Sequence, residues 1–425
     1  MPIAEGRQSS EMPGRAGDRD SGHKGSDLPG LRRAEPGLWD AGLGWFLLLY
    51  FLLNVGMGVF PPLLPQIMES LDISFAAVGL LGSAYAVTRF VMNLPAGLLV
   101  ERLGFVQVLH AGMGLLVVGS ALSAWSPSYA ILLAARGLLG MATGMANITA
   151  ILYLMRSGPP TQRSRRGNLY ELSVVAGMAV SADLGGVVGG RWGWRWSFGL
   201  AILVLVAAWA VAAQRVLPAL RAIELPPPPR DVSARGRRRV PSGPILAIYV
   251  AMFTQAFAWG GGISTLFPLY GGRALDLSPS AIGRTMALAF WVEVCLLFPV
   301  GWAADAWGKS RILLPGFLAI LLGTLLVPVT GGIPGYGAAF ILLTSGMSVW
   351  MLVPAILTER LGGDFGGRSA AFYRLVTDLG FILAPATVGW LIGRSGFLAA
   401  AAAIGIVVTL SLLMSLRFLL RREPA

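Results

Sequence analysis

Cysteine, histidine and charge are all scarce in this chain. Cys295 is the single cysteine among 425 residues, so no disulfide can close within the chain and no thiolate cluster can bind a metal. The two histidines, His23 and His110, stand far apart in the sequence. No Cys/His metal spacing, no convincing nucleotide-binding loop and no separate soluble domain is present, which argues against an enzyme and leaves a non-transporting membrane sensor with little support. Charged residues are only 13% of the chain, whereas a soluble domain carries about a quarter. Residues 1–40 lack the apolar core of a signal peptide. Rich in Gly, Ser, Arg and Asp, they are expected to form a disordered cytoplasmic tail, ending near residue 42.

Apolar residues are abundant: 55% of the chain is hydrophobic and the mean hydropathy is +0.69. They fall in long blocks, and a membrane crossing needs about 20 mostly apolar residues. Twelve such blocks are predicted, at 44–67, 75–99, 105–125, 129–155, 168–190 and 196–214, then 245–270, 281–302, 311–330, 335–357, 368–392 and 396–416. The expected fold class is therefore an all-α polytopic membrane protein with bundles over 43–214 and 245–417. Between them, 215–244 carries Pro226 to Pro229 and an Arg235–Arg239 cluster, and reads as a cytoplasmic linker that can also touch anionic lipid. A short tail, 418–425, closes the chain.

Lys plus Arg exceed Asp plus Glu by twelve. The excess lies in alternate loops, which points to membrane orientation and away from nucleic acid. Twenty-five basic residues fall on the side of the two termini, five on the other, and Arg89, Arg136 and Arg374 inside helices. By the positive-inside rule both termini are expected in the cytoplasm, and the chain in an inner membrane.

A repeat sits after the second and eighth blocks. Gly97-Leu-Leu-Val-Glu101-Arg102-Leu-Gly104 precedes Gly301-Trp-Ala-Ala-Asp305-Ala-Trp-Gly308-Lys309-Ser-Arg311 by 204 residues, and Pro95 and Pro299 keep the same register. Glycines allow a tight turn there, and an acid at the membrane surface can accept from a neighbouring helix N-terminus or a basic side chain. The repeat resembles the signature loop G-x-x-x-D-R-x-G-[RK]-[RK] of the major facilitator superfamily. Glu101 stands in place of Asp, Phe105-Val106-Gln107 in place of basic residues, and Ala306 in place of Arg. Gly56-Met-Gly58-Val-Phe-Pro61-Pro62-Leu-Leu-Pro65 is similar to the family's first helix, Arg136-Gly-Leu-Leu-Gly140-Met-Ala-Thr-Gly144 to its fourth, and Trp194-Arg195-Trp196-Ser197-Phe198 to the start of its sixth. The resemblance covers about residues 43–417. It implies two pseudo-symmetric six-helix bundles around a central cavity open alternately to each side, with helices 1, 4, 7 and 10 lining it. Helices 2 and 11, and 5 and 8, are then expected to meet across the bundle interface.

Ionisable groups inside spanning helices are costly, so they are usually paired or functional. This chain has Arg89, Arg136, Asp183, Glu293, Arg374 and Asp378, with Glu171 near the start of the fifth block. The 204-residue offset maps Arg89 onto Glu293. Arg89 and Asp378 come out level, each roughly 15 Å along its helix from the same side, and are expected to pair. Arg374, at i,i+4, competes for that carboxylate. Arg136 and Asp183 are expected to pair within the first half. The resemblance links the position of Arg136 to proton coupling. Glu293 finds no cation at its level, Glu171 lying well below it and Asp183 well above. It is the candidate to bind and release a proton, the alternative being a neutral acid satisfied by a carbonyl or hydroxyl.

Asn54, Asn147, Thr149, Gln255 and Thr265 are candidates to touch solute, or to bond helix to helix. Tyr50, Phe257, Trp259, Phe267, Tyr270 and Trp350 suit a wall for aromatic or amphipathic solutes, or face lipid. A secondary transporter driven by a proton gradient, without cofactor or metal, working as a monomer on a small organic solute, is the expected function. The apolar domain favours export of hydrophobic or amphipathic compounds, as in many drug exporters of the family. Those often show G-P-x-x-G-G at the end of helix 5, where this chain has Gly186 for the proline; Ala384-Pro385 does appear in helix 11. Uptake of an organic anion against an unpaired Arg89 or Arg374 is the alternative.

Overall fold

The computed structural model describes residues 41–156, 163–218, 243–361 and 367–419. Residues 1–40 of the expected tail, the proline and arginine runs of the expected linker, and residues 420–425 of the expected C-terminal tail lie outside these.

The described chain is helical throughout. In order, α1 covers Ala41–Met57 and continues through a 3-10 turn into Leu64–Ser70. Next come α2 (Phe75–Leu103), α3 (Phe105–Ala124), α4 (Tyr129–Arg156), α5 (Arg163–Trp192) and α6 (Trp194–Val211). In the second half, α7 runs from Gly243–Phe257 through a π-helical stretch, Ala258–Leu266, to Phe267–Arg273. Then follow α8 (Pro279–Trp307), α9 (Lys309–Leu326) and α10, which joins Gly332–Met347 to Leu352–Arg360. Eleven described stretches are long and apolar enough to cross a membrane. The last, Gly367–Phe418, breaks at Gly396 (φ 84°) and so makes two crossings, α11 (367–395) and α12 (397–418). There are therefore twelve. An even number puts the start of α1 and the end of α12 on one face, called here the terminal face; the other is the distal face.

The repeat extends into the backbone. Ser74 caps α2 by accepting from the Ala77 amide, and Ser278 caps α8 by accepting from that of Ala281. Two positions earlier, Asp72 (φ 46°) and Asp276 (φ 52°) turn the chain. All are 204 residues apart. A single glycine of positive φ joins α2 to α3 (Gly104) and α8 to α9 (Gly308); Gly193 and Gly396, offset by 203, do the same for α5–α6 and α11–α12. A side chain would strain each turn.

One expectation changes here. The signature stretches are not loops: α2 and α8 run on to Leu103 and Trp307, so Glu101 and Asp305 occupy final helical turns. Both are exposed, and among the described residues neither forms an ion pair. A carboxylate there faces the negative end of its helix, an arrangement that costs about 0.3–1 kcal/mol. The ion pair at the second repeat is instead Lys309 with Glu359. Arg102 lies in the last turn of α2 and Arg311 in the first of α9, both exposed.

The two halves meet at two seams, α2 with α11 and α5 with α8. Each is closed near the distal face by facing glycines. A Cβ on Gly79 would lie 2.3 Å from the Pro385 carbonyl oxygen, and one on Gly283 2.3 Å from that of Ala182. Their partners, Gly389 and Gly186, are themselves 203 residues apart. A Cβ on Gly186 would meet the Pro279 carbonyl at 2.5 Å, so the residue that stands where exporters carry proline admits α8 at close range. Hydrogen bonds reinforce both seams: the Ser83 hydroxyl donates to the Ile382 carbonyl (2.6 Å), and that of Ser280 to the Gly186 carbonyl (3.2 Å). Toward the terminal face a Cβ on Gly97 or Gly301 would meet nothing within 4 Å. The seams are therefore tightest at the distal face.

Candidate solute cavity

Between the halves lies a cavity of about 390 Å³. Helices α1, α4, α7 and α10 line it, as expected, and α2, α5, α8 and α11 add residues along the seams. The π-helical stretch of α7 presents Trp259, Gly260, Ile263, Ser264 and Thr265 to it. Such stretches re-aim side chains and recur at functional positions. Trp259 stacks on Phe290 of α8 (centroids 6.0 Å apart) and meets Trp350 of α10 edge-on at 6.5 Å. That cluster forms the aromatic wall.

At the α2–α11 seam, Arg89 Nη2 lies 3.1 Å from Asp378 Oδ1. Asn93 donates to Oδ2 at 3.0 Å, and Arg374 Nε stands 3.7 Å from the same oxygen. Both arginines thus share the buried carboxylate, so they are partners at it where the sequence suggested rivals. Phe381 also covers the Arg89 guanidinium, at 4.6 Å.

Arg136 and Asp183 do not pair. The Arg136 guanidinium lies over the rings of Phe60 (3.8 Å) and Tyr85 (4.8 Å), within the cavity lining. A ring face attracts a cation, and more so when water is excluded. Asp183 lies on the other side of α5 and faces α8, with Oδ1 3.9 Å from Arg284 Nε. Arg284 is largely exposed and Asp183 about half-exposed, so that pair contributes little.

Glu293 is 3% exposed and lines the cavity. Its Oε2 has no hydrogen-bond partner among the described residues. Glu171 also lines the cavity, within electrostatic reach of Glu293. It stands about two turns into α5, which starts at Arg163, five residues earlier than expected. No ion pair among the described residues involves either acid.

Asn54, Asn147, Thr265, Trp259, Trp350 and Tyr50 line the cavity. Asn54 meanwhile donates to the Tyr50 carbonyl and Thr265 to that of Gly260. The other candidates turn away. Tyr270 donates to the Thr330 carbonyl, Thr149 to that of Met145, and Phe267 stacks on Tyr336 inside the second half. Phe257 is buried in the core of that half, as is Gln255, whose two amide atoms meet no partner among the described residues. Sequence reasoning missed Tyr85, Phe290, Tyr170 and Tyr373, all in the lining. Applying the 203-residue offset of the fifth and eleventh helices would have singled out the two tyrosines.

The family profile described as Major Facilitator Superfamily matches residues 46–358 and 248–425. The chain belongs to this superfamily. Among curated relatives, the galactose-proton symporter of Escherichia coli K12 is 26% identical over 74% of this chain and 77% of its own length. Multidrug resistance protein D of the same strain is 24% identical over 73% and 76% respectively. A solved structure of a bacterial homolog of the human lysosomal transporter Spinster, inward-facing and unoccupied, superimposes with a TM-score of 0.64 at 16% identity, over 90% of this chain and 98% of that one. It shares the fold. This member is a multi-pass membrane transporter of the secondary class. One similar protein is a symporter and another a drug-resistance protein, so neither direction nor solute follows from similarity.

Proposed function

We propose that the protein is a proton-coupled exporter of small amphipathic organic solutes, working by alternating access as a monomer in a cytoplasmic membrane, with both termini in the cytoplasm. Glu293 carries the reading: a buried carboxyl facing the cavity, with one oxygen left without a partner. A carboxyl free of a fixed cation can exchange its proton when the cavity changes side. Arg89 and Arg374 are committed to Asp378, which speaks against the alternative of an organic anion held by either. Asp378, Arg89 and Arg374 then serve as a gate at the seam. Asn54, Asn147, Trp259 and Trp350 touch the solute.

One observation favours the second reading, uptake of an organic anion. Arg136 faces the cavity beside aromatic rings and, among the described residues, forms no ion pair with a carboxylate, and it would be the counter-ion.

The test uses purified protein in liposomes holding a pH-sensitive dye, across an imposed pH gradient. Lipophilic cations, neutral drugs and organic anions are added in turn. Solute-dependent proton flux, abolished by Glu293→Gln, is the expected result. Saturable solute uptake without proton movement would make the protein a facilitator and reduce Glu293 to structure.

A further inference from the structure

The two seams are related by the repeat, so their charges can be compared position by position. With the offset of 204 for α2 and α8, Arg89 corresponds to Glu293 and Asn93 to Leu297. With the offset of 203 for α5 and α11, Tyr373 corresponds to Tyr170, Arg374 to Glu171 and Asp378 to Val175. The α2–α11 seam holds two cations and, between them, the carboxylate that neutralises both. The α5–α8 seam holds two acids, and at the neutralising position stands Val175, buried. The oppositely charged third member is missing.

We infer that the α5–α8 seam is a binding subsite for a lipophilic organic monocation, whose charge sits between Glu171 and Glu293 and whose aromatic body rests on the Trp259–Phe290–Trp350 wall. This deepens the proposed function, because it names the solute's charge. It stands on geometry: both acids line the cavity, Glu293 is buried with an unpartnered oxygen, and the wall begins one turn away at Phe290. An organic cation fits better than a metal ion. A bare alkali or alkaline-earth ion demands several oxygen ligands to replace its water, and the corresponding positions here are Val175 and Leu297. A diffuse cation loses little hydration and is drawn to ring faces.

A monocation seated between the two acids takes the place of a proton on one of them, so the exchange conserves charge. The other titratable or charged groups lining the cavity with the pair are Tyr170 on α5, Tyr50 on α1, Tyr85 and Arg89 on α2, Arg136 on α4, and Tyr373, Arg374 and Asp378 on α11. From α7 and α10, Trp259 and Trp350 add no titratable group.

The test is binding to purified protein in detergent, which needs no gradient and no flux. Radiolabelled tetraphenylphosphonium is compared with tetraphenylborate, an anion of the same shape. Saturable binding of the cation, stronger as pH rises and no saturable binding of the anion is the expected result. Glu171→Gln/Glu293→Gln should weaken cation binding at least tenfold. Val175→Lys, which supplies the missing charge within the chain as Asp378 does at the other seam, should do the same while the protein stays monodisperse. No saturable cation binding by wild type, equal binding of both ions, sodium binding in place of the phosphonium, or undiminished binding by the double variant would each overturn the inference. Should a neutral solute still drive proton flux in liposomes, the proposed function would stand without this subsite.

Discussion

At the α2–α11 seam one carboxylate, Asp378, holds two arginines; at the α5–α8 seam two glutamates face the cavity and, among the described residues, no cation is paired to them. The backbones match almost residue for residue, down to the glycines that close each seam near the distal face. What differs is which charges stand at the matching positions. A seam with its charges paired is a structural lock, since separating it means stripping an ion pair. A seam whose cavity-facing charges are unpaired has no such buried bond to lose, its Asp183–Arg284 pair lying nearer the surface, and can be occupied or vacated by something that moves. On this comparison the α2–α11 seam supplies strength where the α5–α8 seam supplies exchange.

The largest expected effect comes from making the paired seam resemble the unpaired one. Asp378→Asn leaves Arg89 and Arg374 without their carboxylate, a loss of about 3–5 kcal/mol when one partner of a buried pair is removed. Thermal unfolding in detergent should show it as a sharply lower midpoint. Glu293→Gln breaks no pair, and its unfolding should stay within about 1 kcal/mol of wild type. If the two variants were equally stable, the contrast between the seams would be lost. Asp378→Asn should also acquire saturable binding of tetraphenylborate, because two arginines are then free to hold an anion.

Next in size are the closing glycines, which should behave alike at both seams. Gly79→Ala and Gly283→Ala each press a methyl group against a backbone carbonyl, and overpacking of this kind costs about 1–3 kcal/mol. Because the strain falls on the closed distal contact, solute transport should drop in both. Gly97→Ala and Gly301→Ala, with nothing within 4 Å, serve as matched controls and should transport normally. A loss confined to one seam would show that the two do not close by the same contact.

The smallest effect is expected at the signature repeat. Lys309 pairs with Glu359 at the second copy, while the first copy has Phe105 at the corresponding position. Exposed pairs contribute about 0–1 kcal/mol, so Lys309→Ala should leave thermal stability nearly unchanged. A large loss would mean that the second copy clamps α9 to α10 in a way the first cannot.

Much of the architecture could be read from sequence because its determinants are linear. Apolar block length gave the twelve crossings, and the Gly97 and Gly301 stretches gave the register between halves. The level of Arg89 and Asp378 could be counted along their helices, and the pair is present. Rotation about the helix axis could not be counted. In a membrane helix the lipid-facing and core-facing sides are both apolar, so little periodicity marks which side faces in. That is why Thr149, Gln255 and Tyr270 were expected at the cavity and turn away from it. It is also why Asp183 was matched with Arg136 rather than with Arg284 on another helix. The start of α5 differs for another reason: the polar Arg163–Gly167 stretch reads as a loop but continues α5.

The most direct measurement follows protons during binding itself. Tetraphenylphosphonium is added to purified protein in weakly buffered detergent solution near neutral pH, and the pH change is recorded. Unequal seams predict proton release that saturates together with binding and vanishes in Glu171→Gln/Glu293→Gln, while Asp378→Asn still releases protons. Cation binding with no proton release, or release that survives in the double variant, would contradict an exchange site at the α5–α8 seam.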